Sequence, residues 1–265
     1  MESIVDGKTR LFAILGDPIA QVKSPAQVTA SLRARSRNAI LVPFHVTSED
    51  FDEIVLALKA IRNLDGLVIT VPHKFTAFRH CAETTARAEF LGAVNVMRRS
   101  SSGVWEGDMC DGRGFVDAIL EKGGVLAGKR ALLLGAGGAG TAIGYALLEA
   151  GVAELSIHDI DRSRLDELVG KLRQRFGDRV TDGAPDPMAF DVLANATPAG
   201  MENLQKSPVD LDRLRPATIV GDVVTATGET ALIRAARSKG CPFSTGHDMY
   251  QALQEKMVEF LLSSD

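Results

Sequence analysis

Three observations predict an α/β chain of two domains built on mainly parallel sheets. The 265 residues exceed what one compact core usually reaches. Apolar runs of strand length alternate with segments of helical period, the order of βαβ units. A GxGxxG segment at residues 135–140 lies between an expected strand and an expected helix, which specifies a Rossmann-type dinucleotide-binding domain beside a second, α/β substrate domain.

The first strand is expected at residues 11–15, ending in the turn Gly16-Asp17-Pro18. A helix follows Ser24-Pro25, because Ser is a good N-cap and Pro is preorganised for the first helical position. Residues 39–46 read as the next strand. Ser48-Glu49-Asp50 then opens a helix in which Phe51, Ile54, Val55, Leu58 and Ile61 recur at helical spacing. A strand over 67–71 follows Leu64-Asp65-Gly66, and places Lys74 at a strand end. The Ser/Gly run at 100–103 turns between the last strands of the first domain. Residues 130–134, the Gly-rich turn, a helix to about 150 and a strand over 155–159 form one βαβ unit. Later strands fit 192–194 and 219–222. The tail over 249–262 reads as a helix with Leu253, Met257, Phe260 and Leu261 on one face. The substrate domain is therefore drawn as 1–107 with 245–265, and the dinucleotide domain as 108–244.

Hydrophobic residues at 45% and charged residues at 24% describe a globular chain and exclude the disordered and collagen-like classes. A net charge of -4 and a pI near 5.8 give no reason to expect nucleic acid or an anionic membrane as partner. Cys81, Cys110 and Cys241 are widely spaced and form no CxxC pair, and the five histidines are scattered. This argues against a metal site and for a reducing, cytoplasmic setting. No apolar run reaches membrane-spanning length, and the opening MESIVDGKTR lacks the core of a signal peptide. The partner expected is a small hydroxy acid; monomer and homodimer both stay open.

Within the Gly-rich turn, Gly135 permits the tight bend, and Gly137 lets a pyrophosphate approach the backbone amides at the helix N-terminus. Gly140 allows close helix–strand packing. Ala136, Gly138 and Ala139 complete the loop. Asp159 falls nineteen residues past Gly140, where an acid meeting the adenosine ribose is expected. An aspartate there accepts from the 2′-hydroxyl and repels a 2′-phosphate, favouring NAD over NADP. Arg162 and Arg164 follow it as candidate phosphate clamps, but read more simply as solvated residues of a helix first turn.

The remaining polar islands are Gly16-Asp17-Pro18-Ile19-Ala20-Gln21-Val22-Lys23-Ser24-Pro25, Val68-Ile69-Thr70-Val71-Pro72-His73-Lys74, and Gly92-Ala93-Val94-Asn95 with Gly107-Asp108-Met109-Cys110-Asp111-Gly112-Arg113-Gly114. Together with Asn195-Ala196-Thr197-Pro198-Ala199-Gly200-Met201 and Gly246-His247-Asp248-Met249, they resemble the shikimate/quinate dehydrogenase family, in its order and over nearly the whole chain. The resemblance implies a nicotinamide-dependent dehydrogenase of the secondary alcohol of a small cyclic polyhydroxy acid, of the kind used in aromatic amino acid biosynthesis. It implies Lys74 and Asp111 as the catalytic pair, with Asp111 beside Lys74 and the substrate hydroxyl. It places Ser24, Thr70 and Asn95 on the substrate, and Asn195, Thr197, Pro198, Val223, Gly246 and Met249 around the cofactor.

The chemistry supports the same residues. Oxidising a secondary alcohol moves a hydride to nicotinamide and a proton to a side chain, so an ionisable group must touch the hydroxyl. A free lysine titrates near 10.4, so proton shuttling by Lys74 calls for burial or cationic neighbours.

Three departures stand out. The family's first carboxylate-binding serine is Val22 here, a loss of roughly 1.5–3 kcal/mol for an unchanged acid. Its substrate tyrosine is Thr225, and the proline after it is Thr227. Its substrate glutamine, four residues past Met249, is Leu253, with Gln251 and Gln254 as flanking candidates of which one helix face admits one. The chemistry is thus expected to persist with altered specificity, towards shikimate, quinate or an analogue. A ligand-sensing regulator that keeps the fold is the alternative from another class, and a dehydrogenase of a folate derivative a third reading.

Overall fold

The computed structural model describes residues 5–263, and the chain divides into two compact units, residues up to 110 with those from 254 onward, and residues 111–253. The division falls after Cys110 and Leu253 rather than after 107 and 244. The first shift arises because the Asn95 side chain accepts the Cys110 amide at 2.9 Å, holding 109–110 to the first unit. The second arises because the last helix starts inside the second unit, where Thr245 caps it against Asp248 and Lys122 pairs with Asp248 at 2.9 Å.

The first unit contains β1 (Arg10–Gly16), α1 (Ser24–Ala34), β2 (Ala39–His45), α2 (Phe51–Lys59), β3 (Leu64–Ile69), α3 (Lys74–Phe78), β4 (Glu83–Thr84), α4 (Ala86–Leu91), β5 (Val96–Arg99) and β6 (Trp105–Asp108). Its sheet runs β2-β1-β3-β5-β6-β4. β1 pairs in parallel with β2 and β3, whereas β5 lies antiparallel to both β3 and β6. The expected parallel sheet therefore has an antiparallel portion, closed by the turn at Gly103. β1 is central and buried from Phe12 to Gly16, which is why it reads as an uninterrupted apolar run.

Two local expectations are corrected. β3 stops at Ile69, not 71, because Pro72 has no amide to continue a ladder and the His73 amide closes a turn on the Thr70 carbonyl. Lys74 therefore opens a short helix instead of ending a strand. Ser24 is the first helical residue rather than the cap; Lys23 takes that place, and no side chain caps the helix. The Ser24 hydroxyl is instead engaged by Gln254.

The second unit contains α5 (Asp111–Glu121), β7 (Arg130–Leu134), α6 (Gly138–Glu149), β8 (Glu154–His158), α7 (Arg162–Phe176), β9 (Val180–Asp182), β10 (Val192–Asn195), β11 (Ile219–Asp222), α8 (Ala231–Ser238), β12 (Phe243–Ser244) and α9 (Gly246–Leu262). All six strands are parallel, in the order β12-β11-β10-β7-β8-β9. Counted from β7 outward in each direction, this is the doubly wound Rossmann order, with its switch point between β7 and β10. Leu132, Leu134, Leu193, Val220 and Leu232 are buried in one cluster over this sheet. Among the described residues no helix is long and apolar enough to cross a membrane.

Gly66 marks a close approach in the first unit, since a Cβ there would lie 2.5 Å from Leu261 Cδ2 and 2.7 Å from the Met97 carbonyl oxygen. Gly66→Ala is expected to lower the unfolding free energy by about 1–3 kcal/mol in urea titration, as overpacking does. An unchanged midpoint would show that α9 yields freely at this point.

Candidate active site

In the first unit, the segments after β1 and β3 leave the sheet side by side. The Thr70 amide donates to the Leu15 carbonyl and the Asp17 amide to the Val71 carbonyl, each at 3.0 Å. The segment after β3 is fixed from the other side by β5, whose entry residue Val94 donates its amide to the Lys74 carbonyl at 3.0 Å. The Ile69 amide donates to the Asn95 carbonyl and the Asn95 amide to the Asp108 carbonyl. Thr70, Lys74 and Asn95 are thus brought to one end of one sheet, with Lys74 half-buried and Asn95 buried. Asp111 follows Cys110 directly and opens α5 in the second unit.

His73, which sequence reasoning passed over, anchors this turn. It is 1% exposed, donates from Nε2 to the Val46 carbonyl at 2.7 Å, and stacks on Phe51 with ring centroids 4.3 Å apart. An imidazole in a turn between Pro72 and Lys74 is hard to assign from sequence, because its carbonyl partner lies in a distant loop.

The turn carrying Val22 and Ser24 lies along the same end. Val22 is half-buried and Ser24 buried. Gln254, buried on α9, donates from Nε2 to the Ser24 oxygen at 3.0 Å. Of its neighbours on α9, Gln251 is exposed, and Leu253 packs on Gly114 of α5. The signal was present, since Gln254, Met257, Val258 and Leu261 recur at helical spacing and all are buried.

In the second unit, Gly135 has φ +97°, donates its amide to the His158 carbonyl at 2.8 Å, and lies against Ala196, the residue after β10. Gly137 is the extended N-cap of α6, with Gly138 and Ala139 exposed in its first turn. A Cβ on Gly140 would lie 1.9 Å from the Gly135 carbonyl oxygen, so only glycine lets the helix close on the strand end. A Cβ on Gly137 or Gly138 would stand in open space, which is the room a phosphate group needs to approach backbone amides at a helix N-terminus.

Asp159 braces this turn. Its carboxylate accepts the Ala136 amide at 2.6 Å and the Asp161 amide at 2.8 Å. Asp161 in turn caps α7 through the amides of Ser163 and Arg164. Arg162 is paired with Asp166 and Asp182, and Arg164 with Asp161. Between the two acids, Ile160 stands 99% exposed.

The loops after β10 and β11 are joined by Asp222, a residue not anticipated. It is 1% exposed and accepts from Asn195 Nδ2 at 2.9 Å, Thr230 Oγ1 at 2.7 Å and the Val224 amide at 3.1 Å. Burial raises its carboxyl above the usual range against the opposing pull of these donors. Asn195 passes the order on, its Oδ1 accepting both the amide and the hydroxyl of Thr197, while Pro198 stays exposed. Val223 donates its amide to the Asn195 carbonyl and, with Val224, lies against Gly246 at the start of α9. Met249 sits half-buried one turn on. Thr225 and Thr227 are exposed and border a cavity of about 280 Å³ with Thr230, Thr245 and His247. Among the described residues, no group of three or more His, Cys, Asp or Glu is placed to hold a metal.

Comparison with known proteins places this architecture. The shikimate dehydrogenase substrate binding domain matches residues 14–97. The shikimate dehydrogenase (NADP(+)) of Geobacter metallireducens is 34% identical over 260 residues, covering 95% of this chain and 90% of its own. Among solved structures, the ligand-free 5-ketofructose reductase of Gluconobacter sp. superposes with a TM-score of 0.90 at 27% identity, over 97% of this chain and 94% of its own. The shikimate 5-dehydrogenase of Listeria monocytogenes, in complex with shikimate and NAD, gives 0.90 at 26% identity, over 98% and 94%.

The Asp222 junction makes a stability prediction. Asp222→Ala leaves the buried Asn195 amide and Thr230 hydroxyl without their acceptor, and is expected to cost about 2–4 kcal/mol in chemical denaturation. A loss below about 0.5 kcal/mol would mean that the junction contributes nothing net.

Proposed function

The chain belongs to the shikimate dehydrogenase family, and from that premise we propose that it is an NAD-dependent dehydrogenase acting reversibly between the secondary alcohol and the ketone of a small, cyclic, polyhydroxylated compound of the shikimate or quinate type. The observation that carries the reading is the fixed turn of Thr70 to Lys74, its backbone held by Leu15 on one side and Val94 on the other, at the end of the sheet where Asn95 also lies. The regulatory alternative finds no support in the relatives, which are named as enzymes.

Nicotinamide, when bound, supplies the hydride acceptor or donor. The protein's part is the proton and the geometry. Lys74 takes the hydroxyl proton as the alcohol is oxidised and returns it in the reverse direction. Asp111 orients that exchange, in the role its match to the family motif implies. Asn95 and Thr70 hold ring hydroxyls, and the buried position of Asn95 fixes its amide through Cys110. The backbone amides after Gly135 and Gly137, with Ala136, Gly138 and Ala139, hold the pyrophosphate. The loops of Asn195, Thr197 and Pro198 and of Val223, with Gly246 and Met249, take the nicotinamide end.

The cofactor preference rests on residues 159–161. An adenosine 2′-phosphate needs a cation, yet this strand end offers Asp159, the exposed Ile160 and Asp161, while Arg162 and Arg164 are already paired with carboxylates. The curated relatives, that of Geobacter metallireducens among them, are named NADP(+) enzymes and weigh towards NADP, while the Listeria structure holds NAD. The side chains here support NAD. The name 5-ketofructose reductase adds that a closely superposable fold serves a keto sugar.

Two measurements test the proposal. Lys74→Ala is expected to lower the turnover number with a shikimate-type alcohol by at least about a hundredfold, with dinucleotide affinity little changed. Undiminished turnover would remove Lys74 from the mechanism. Initial rates are expected to favour NAD over NADP by at least about tenfold in kcat/KM, and Ile160→Arg to shift that ratio towards NADP by about tenfold or more. A wild-type preference for NADP would overturn the assignment of the cofactor and leave the dehydrogenase standing.

A further inference from the structure

We propose that a cavity at the opposite end of the first sheet from Lys74 binds a small organic anion, a phosphate monoester or a similarly doubly charged oxyanion on a short carbon body. The cavity holds about 510 Å³ and lies where the strands of the first unit begin, since Arg10, Ala39 and Asp65, at the starts of β1, β2 and β3, all line it. That is a size small ligands occupy. β1 and β3 run from there to Gly16 and Ile69, so a strand length of about 20 Å separates the cavity from the turn of Thr70 to Lys74.

The charge of the cavity runs against that of the chain. The chain carries a net -4, whereas the cavity is lined by four cations, Lys8, Arg10, Arg37 and Arg99, and one carboxylate, Asp65. Arg10 and Asp65 satisfy each other, through Nε at 2.8 Å and again through Nη2. Arg99 is held over the Trp105 ring and by the Lys59 and Ile61 carbonyls, so it adds charge without a carboxylate of its own. Lys8 and Arg37 are exposed, and among the described residues the side chain of neither has a carboxylate or hydrogen-bond partner. Even with Asp6 counted, whose carboxylate is engaged by Asn38 and the Thr9 hydroxyl, four cations face two carboxylates. A doubly charged oxyanion neutralises that surplus, and a guanidinium can take two of its oxygens at once.

Ser36 adds a hydroxyl. It follows α1 with φ +57°, the left-handed conformation that suits glycine, and among the described residues no other non-glycine has a positive φ. Its amide donates to the Arg33 carbonyl at 2.8 Å and the Arg37 amide to the Leu32 carbonyl at 3.0 Å, so the end of the helix fixes that conformation. Glycine would end the helix with less strain. Serine instead places a hydroxyl on the cavity wall, next in the chain to Arg37. Phe12 and Leu261, which close over Gly66, give the wall an apolar portion for the carbon body.

Calorimetry on the full chain with phenyl phosphate and with phenol tests the proposal, at saturating dinucleotide so that phosphate cannot enter the Gly-rich turn. Phenyl phosphate is expected to bind with a Kd of about 1 mM or tighter, and phenol at least about tenfold more weakly. The double variant Lys8→Ala, Arg37→Ala is expected to weaken phenyl phosphate by at least about tenfold. Ser36→Gly is expected to raise the urea midpoint while weakening phenyl phosphate by about threefold or more, a split that a purely structural role would not produce. No binding of phenyl phosphate up to about 10 mM, phenol bound as tightly, or an affinity that either variant leaves unmoved overturns the inference. None of these results touches the dehydrogenase, whose turnover is expected to be the same in the wild type and in these variants.

Discussion

The buried imidazole of His73 is the constraint on which the working end of the first unit depends. Its bond to the Val46 carbonyl and its stacking on Phe51 fix the residue immediately before Lys74, in a stretch where Pro72 has already ended the strand. With that point held, the Lys74 carbonyl can receive the Val94 amide and the Thr70 amide can reach Leu15. A flexible amine becomes one whose backbone is fixed by three different elements. On the proposed function, such fixing would contribute to rate by positioning, before any substrate arrives.

The second unit applies the same economy to two loops. Asp222 collects donors from Asn195, Thr230 and Val224, so the exits of β10 and β11 and the start of α8 share one buried carboxylate. Asp159 does so in the other half of the sheet, tying the Gly-rich turn to the start of α7. In both places an acid that reads from sequence as ligand-binding or as unremarkable has a bracing role. The Asp159 oxygens hold the Ala136 and Asp161 amides in place.

How much was legible follows from the range of the determining interaction. β7 and β11 were bounded at their observed residues because apolar runs between turn residues are local signals, and the GxGxxG turn was read correctly from its place between β7 and α6. The antiparallel pairing of β5 with β3 was not, since pairing direction is set by the whole sheet and leaves no local trace. Ser24 was read as a cap from its pairing with Pro25, but a partner 230 residues along the chain claims its hydroxyl. For the same reason the sequence set Gln251 and Gln254 on one helix without showing that Gln254 meets Ser24. His73 and Asp222 went unnoticed because each is defined by a distant partner. The departures at Val22 and Thr225 were visible as departures; the Gln254 bond to Ser24 beside the first of them was visible only in three dimensions.

The central claim is that the amine of Lys74 exchanges the substrate proton while the hydride passes directly to nicotinamide. It is tested most directly by following deuterium from the carbinol carbon of a shikimate-type alcohol into the dinucleotide under single-turnover conditions, in the wild type and in Lys74→Met. Deuterium is expected in the reduced dinucleotide of the wild type, with its transfer slowed at least about a hundredfold in the variant. Transfer at equal rates in the two proteins, or reduced dinucleotide free of deuterium, would contradict the account.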